Sequence, residues 1–557
     1  MTGEYRQDVT GPAGYAAGSP GRFGGWRRAY LAGAAAILLA LSACASPSGG
    51  DERGDLAASS GDFVDGAFDK DSVGVFEKGY GLVASRYIES VNLGGLAVDG
   101  LNGMAAIDPL ISASEDESGV HVFYQAKEVT AFAVPEKAVA EGLSNRTYDA
   151  IETLRLSSPA LKQRQSEAIY AAFFDGMISG LDAYTRYAGA ERARENRAQR
   201  EGYGGIGIRI RLFSDAIQVS SVMEGTPAQR AGLKADDEIT GVDGAPAVDL
   251  DLPGAVTLLR GPIGSEVRLT IRRPGLAKPF DVDVERQHII PPTVAYERRG
   301  NIAYIKISRF NQRTADSLKE KVVEIRNEVA EIGGIILDLR DNPGGLLDQS
   351  IDVANMFLTE GVILTTHGRH RDSHQRYAAA GVDYADGLPI AVLINEHSAS
   401  AAEIVGAALQ DGGRAVVIGT TSFGKGTVQT VFRLPNGAEL TLTWSRFFAP
   451  SGYVLHGLGI LPTICTSDHA QPPVKLLDAI DPDHPSTQAA FADWRSSVSI
   501  ADPRRPALRK LCPPSAERDD DNFDIETATL LLSNRTLFQQ ALGVSSSQVA
   551  WSASGTQ

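Results

Sequence analysis

Apolar residues fall into several rhythms along this chain. From Val73 to about Glu201 they recur mostly at helical spacing, so this stretch is expected to be a helical region. Two similar phrases, Leu101-Asn-Gly-Met104 and Phe174-Asp-Gly-Met177, each follow a helical run within it. Further on, Gly333-Gly-Ile-Ile-Leu-Asp-Leu-Arg340 and Pro389-Ile-Ala-Val-Leu-Ile-Asn395 are short apolar runs that predict buried strands. Ile404, Val405, Ala408 and Leu409 predict a helix directly after the second run, and Thr427 to Leu434 alternates as a strand does.

The strand-to-helix change after Asn395 places Ser400 at a junction where unpaired N–H groups favour developing negative charge. The Ala401 N–H would then be half of an oxyanion hole. Ser400-Ala-Ala-Glu403 also fits a capping box, so helix cap and nucleophile both stand at this point. Lys425 lies between Gly424 and Gly426, and Thr420 to Thr430 holds no Asp or Glu to keep an ammonium charged. Such a lysine acts as a base only if its pKa falls well below roughly 10.4, and a solvated loop lysine is the plain alternative. Gly419 to Gly426 follows the phosphate-loop pattern until its last position, where Gly426 stands in place of Ser or Thr. A strand follows instead of a helix, so nucleotide binding is set aside.

Together these stretches resemble the C-terminal processing peptidases, also called tail-specific proteases, which use a Ser/Lys dyad. The matching residues are Ser398-Ala-Ser-Ala-Ala-Glu403, Ala408-Leu-Gln-Asp411, Phe423-Gly-Lys-Gly-Thr-Val-Gln429 and, upstream, Asp338-Leu-Arg340. The resemblance implies that the nucleophile is the second serine of the S-A-S motif, 25 residues before the lysine, which is Ser400 and not Ser398. It implies a supporting role for Gln429, although four residues of extended strand would carry it roughly 13 Å from Lys425. It implies a second oxyanion donor from the Asn342-Pro-Gly-Gly345 turn, with Gly345 favoured over Gly344. His397 lacks an orienting acid, so a Ser/His arrangement is not adopted. An α/β core of the ClpP/crotonase type is a further implication.

A second resemblance, to a PDZ domain, rests on Tyr203-Gly-Gly-Ile-Gly207-Ile-Arg-Ile, Gly225-Thr-Pro-Ala-Gln-Arg-Ala-Gly-Leu233 and Asp236-Asp-Glu-Ile239. Asp236 stands where relatives usually place glycine. Gly204, Gly205, Ile206, Gly207 and Ile208 would take a peptide end by backbone N–H groups and strand addition. Gly180-Leu-Asp-Ala-Tyr-Thr-Arg-Tyr187 resembles the lead into this domain, which leaves residues 109–165 as an insertion.

Length changes the picture little: 557 residues suggest three or four domains, at roughly 150 residues each. A net charge of −16 argues against nucleic acid. Arg27-Arg28, the apolar stretch Ala29 to Leu41 and Leu41-Ser-Ala-Cys44 look like a bacterial lipoprotein signal with its lipobox. Cys44 would be acylated, leaving Cys465 and Cys512 to pair in an oxidising compartment. His367, His370 and His374 share a segment crowded with arginine, so no metal is assigned and no cofactor is expected.

The expected organisation is a multidomain α/β protein: signal 1–44, tether 45–62, helical region 63–201, PDZ domain 202–275, peptidase core 276–465 and C-terminal extension 466–557. The expected function is a serine endopeptidase of the cell envelope, exported and lipid-anchored at Cys44, that cleaves proteins near their C-termini through an acyl-enzyme. Expected partners are polypeptide substrates met by their C-terminal tails, the membrane, and an adaptor or activator protein. The rival is a lipid-anchored PDZ scaffold on an inactive peptidase fold.

Overall fold

The computed structural model describes residues 68–545, apart from 69, 138, 214–215, 328–331, 469–470, 479, 483 and 515–521. Cys44, the lipobox and the tether lie outside the described residues.

Helices Ser72–Arg86, Leu93–Gly103, Val139–Ser157 and Ser166–Ile178 build the body of the N-terminal region, and a further helix, Ala190–Glu201, leads into the next domain. Phe76, Tyr80 and Val83 repeat on one face of the first, and with Phe173 and Phe174 they form an aromatic core closed to solvent. The two similar phrases mark where the second and fourth of these helices touch. A Cβ on Gly103 would lie 2.1 Å from Ala172 O, and one on Gly176 would lie 2.5 Å from Asp99 O, so only glycine allows this backbone contact.

The stretch set apart as an insertion contributes a three-stranded antiparallel sheet, Ile111–Asp116, Gly119–Tyr124 and Lys127–Phe132, to the mainly helical region. Its second turn uses Gln125 and Ala126, both at positive φ, instead of the Asn-Gly pair that announces such a hairpin. The sheet shares the aromatic core through Ile111, Val120 and Val122.

The PDZ domain is an antiparallel sheet in the order Phe280–Glu285, Glu266–Arg272, Glu238–Val242, Ala216–Val222, Ile208–Phe213, with helix Leu252–Leu259. Ile208–Phe213 is an edge strand, open to a partner. Asp236 has φ +67°, the conformation for which relatives use glycine and which Asp tolerates better than most residues. Chain entry and exit are tied together by pairing of Tyr203–Gly205 with Gln287–Ile289.

The core sheet has the order Val294–Arg299, Ile302–Ile307, Gly334–Asp338, Ile390–Ile394, Ala415–Gly419, Ile464–Cys465, parallel except at the first pair. Its central strands are apolar throughout because both faces are covered. Helices Thr314–Asn327, Leu347–Asn355 and Ala401–Asp411 pack on one face. Helices Asn522–Ser533 and Arg535–Ser545 cover the other, over Ile336, Leu393 and Ile418. Part of the C-terminal extension is therefore a structural layer of the core. A disulfide joins Cys465, at the sheet edge, to Cys512. A second sheet, with strands Val362–His367, Glu439–Phe448 and Thr427–Arg433, stands beside the first and receives Arg186–Ala188 from the N-terminal region.

Candidate active site

The buried strand Ile390–Ile394 ends in a tight turn that delivers Ser400 to the start of helix Ala401–Asp411. Ser400 sits at φ +56°, ψ −115°, a costly conformation for a side-chain-bearing residue that must be held by its surroundings. The holding contacts are on both sides. Ala399 N–H donates to Asn342 O at 2.9 Å, and Gly344 packs so closely that a Cβ there would lie 2.8 Å from the Ser400 Cβ.

The two serines of the motif differ in what their hydroxyls do. Ser398 is closed to solvent, donates to Leu339 O at 2.8 Å and accepts from Asn395 N–H at 2.9 Å. Its hydroxyl is a strut between the turn and the neighbouring strand. Ser400 is half-buried.

The glycine turn resolves in the same way. Gly344 N–H donates to Asn342 Oδ1 at 2.9 Å, so it is already spent. Gly345 is exposed, and its N–H has no partner among the described residues. The Ala401 N–H, first in its helix, has none among them either.

Lys425 is carried on a loop whose glycines are demanded by close approach. A Cβ on Gly426 would lie 2.1 Å from His456 N, and Gly424 has φ +89°. The Lys425 amine lies 5.0 Å from the centre of the Tyr184 ring, a residue supplied by the N-terminal region. Burial pushes the Lys425 pKa down and Arg186 adds to that, while Glu403 and Asp182 oppose it; the net direction is down from 10.5. The expectation that no carboxylate stands near this lysine holds only along the sequence, because Glu403 and Asp182 arrive from other elements.

Glu403 does more than the capping box suggested. Its side chain is closed to solvent and accepts four hydrogen bonds. Oε2 takes the N–H groups of Ser400 and Lys425, each at 2.8 Å. Oε1 takes Gly424 N–H at 2.7 Å and the Ser422 hydroxyl at 2.6 Å. One carboxylate thus clamps the serine turn to the lysine loop. Burial raises its pKa, against the lowering effect of these four donors.

Gln429 follows a bulge after Val428 and does not extend straight away from Lys425. Its Nε2 donates to Thr427 Oγ1 at 2.7 Å and Thr443 Oγ1 at 3.2 Å. Thr443 donates to Asp182 Oδ1 at 2.9 Å, and the same oxygen accepts Tyr184 N–H at 2.8 Å. Gln429 is linked in this way to the loop that holds Tyr184 against the lysine.

Support from behind comes from beyond Cys465, where sequence reasoning placed only the disulfide partner Cys512. Thr421 N–H donates to Cys512 O at 3.2 Å, and Arg509 Nη1 donates to Ser422 O at 3.2 Å and Leu458 O at 2.7 Å. His397 is largely exposed and lies 3.9 Å from Glu396. No cluster able to hold a metal occurs among the described residues. In the PDZ domain, Gly205, Ile206, Gly207 and Ile208 line one groove, whereas Gly204 sits in the pairing with His288.

Comparison with known proteins points to a family. Residues 301–466 match peptidase family S41 and residues 218–273 match the PDZ domain. A carboxy-terminal-processing protease of Bartonella bacilliformis is 41% identical over 293 residues, 52% of this chain and 68% of that protein. A CtpA-like serine protease of Staphylococcus aureus is 35% identical over 313 residues, 56% of this chain and 62% of that one. Among solved structures, a photosystem II D1 C-terminal processing protease is 21% identical, covering 72% of this chain and 96% of that chain, with a TM-score of 0.35. The chain belongs to peptidase family S41, serine-type peptidases, and carries a PDZ domain.

Proposed function

We propose that this chain is a serine endopeptidase of the cell envelope that cuts polypeptides near their C-termini with a Ser400/Lys425 dyad. The observation that carries the reading is the Glu403 carboxylate joined to the backbone N–H groups of both Ser400 and Lys425. Neutral Lys425 takes the Ser400 hydroxyl proton as Oγ attacks the scissile carbonyl. The Gly345 and Ala401 N–H groups receive the oxyanion, and the lysine returns its proton to the leaving amine. Water, deprotonated by the same lysine, then releases the acyl group from Ser400.

Gln429 is a positioning residue in this scheme, acting through Thr443 and Asp182. The PDZ groove receives the chain end, which supports cleavage near it, as does the carboxy-terminal processing named for the Bartonella relative. The Leu41 to Cys44 lipobox supports export and a lipid anchor at Cys44, and the Cys465–Cys512 disulfide suits an oxidising compartment. The test is cleavage of an unstructured polypeptide by Ser400→Ala and Lys425→Ala proteins. Each is expected to be inactive yet folded, and full activity in either rejects the dyad.

A further inference from the structure

The amine of Lys425 has no acid of its own. It makes no ion pair and no side-chain hydrogen bond among the described residues, and what it meets is the ring of Tyr184, with the ring centre 5.0 Å from Nζ. The two acids whose fields reach it are already engaged. Both oxygens of Glu403 are filled by four donors. Asp182 Oδ1 accepts Tyr184 N–H at 2.8 Å and the Thr443 hydroxyl at 2.9 Å, and its Oδ2 accepts the Thr185 hydroxyl at 2.6 Å.

The ring is held in place from two sides. In the N-terminal region the Asp182 bonds fix the turn that presents it, and Arg186–Ala188 pairs with Glu439–Phe448 just beyond. From the core, the His456 ring stands edge-on to it, with centres 5.9 Å apart and planes at 77°. His456 is itself anchored, since Arg505 Nη2 donates to its carbonyl and its backbone lies against Gly426 with no room for a Cβ between. The Tyr184 hydroxyl makes no hydrogen bond among the described residues, so the ring is not placed by its oxygen.

A general base must be uncharged before the reaction and charged during it. A free carboxylate in contact would keep the ammonium charged at rest. An aromatic face attracts an ammonium more weakly than an ion partner does, and most strongly away from water, so it favours the charged form without locking the lysine in it.

We infer that the Tyr184 ring receives the charge that Lys425 takes up during acylation. As the Ser400 Oγ–H bond breaks and its proton bonds to Nζ, the new ammonium lies over the ring face until it hands that proton to the leaving amine. The inference rests on the Ser400/Lys425 dyad and adds to it a residue from the N-terminal region. The other charged groups around Nζ are Arg186 from strand Arg186–Ala188, Glu403 from helix Ala401–Asp411 and Asp182 from the Tyr184 turn. Burial, with Arg446 and Arg505, holds His456 below its ordinary 6.5, so it is uncharged where the lysine titrates.

The test is the pH profile of kcat/KM for cleavage of an unstructured polypeptide, which reports the base in the free enzyme. Tyr184→Leu keeps bulk and removes the π face. Its acid limb is expected about 1 pH unit lower than in the wild type, because the amine has lost an attraction for the proton. Its plateau is expected to fall about 3- to 10-fold, because a weaker base accepts the proton less readily. Tyr184→Phe is expected to restore most of both. Fluorinated phenylalanines at position 184, nearly constant in shape but declining in charge on the ring face, are expected to lower the limb stepwise. This series carries the test if Tyr184→Leu does not fold. A rate loss equal at every pH with the limb in its wild-type place means packing alone and overturns the inference, as does a limb indifferent to fluorination. If the wild-type profile has no acid limb, or Lys425→Ala cleaves at the wild-type rate, the dyad fails and the inference with it.

Discussion

Replacing Glu403 by Gln tests the clamp between Ser400 and Lys425 with a nearly isosteric change. The carboxylate offers two oxygens to four donors, and an amide offers one oxygen and an NH2 group. With the NH2 turned towards Ser422 and Gly424, the Ser422 hydroxyl can rotate to accept, but Gly424 N–H faces another donor inside the protein. A stranded buried donor costs about 1–3 kcal/mol, and the remaining bonds lose roughly 1 kcal/mol each with the charge. Relief from burying a carboxylate offsets part of this, leaving about 2–4 kcal/mol. The melting transition of the peptidase core should fall by roughly 5–15 °C. Catalysis should suffer more, because a shift of about 1 Å between Ser400 and Lys425 costs about a hundredfold. The assay is cleavage of an unstructured polypeptide below the melting range, with kcat and KM separated. A hundredfold lower kcat at similar KM is expected, and activity within about twofold of wild type would refute the clamp.

The pH dependence follows from the lowered Lys425 pKa. A lysine depressed in the folded state destabilises the fold while protonated, and that penalty is relieved as pH rises from its folded pKa towards 10.5. The neutral, reactive amine increases over the same rise, against the opposing fields of Glu403 and Asp182 and with that of Arg186. The rate should therefore climb with pH and level off below 10.5, and a flat profile between about pH 5 and 10 contradicts a lysine base. The Cys465–Cys512 disulfide spans 47 residues, a closure that contributes about 4 kcal/mol in the chain-entropy view. Cys512→Ser should lower the melting temperature and the activity together, since Cys512 O holds the Thr421 N–H behind the lysine loop; normal stability and rate in this variant speak against the buttress.

The placement of Ser400 at a helix start, of Lys425 on a glycine loop and of the Gly344-Gly345 turn was legible because each lies in a short stretch whose signal is local: a strand-to-helix junction, flanking glycines, a tight turn. The choice between Gly344 and Gly345 was not, because it depends on whether Asn342 folds back on the first N–H. Glu403 could be read only as a helix cap, since two of its four donors come from the Lys425 loop and a third from Ser422. Asp182, Tyr184 and Arg186 were invisible as neighbours of the lysine because only the pairing of Arg186–Ala188 with Glu439–Phe448 brings them there. The two C-terminal helices had a signal that could have been used. Ile336, Leu393, Val416 and Ile418 alternate with equally apolar neighbours, and a strand apolar on both sides requires a layer on both faces.

The most direct measurement of the central claim is the site of acylation. The protein is mixed with an activated peptide ester, quenched in acid during turnover, digested and mapped by mass spectrometry. The account predicts a substrate acyl group on Ser400 in the wild-type protein and none in Lys425→Ala. An acyl group on Ser398, or an equal yield on Ser400 without Lys425, would contradict it.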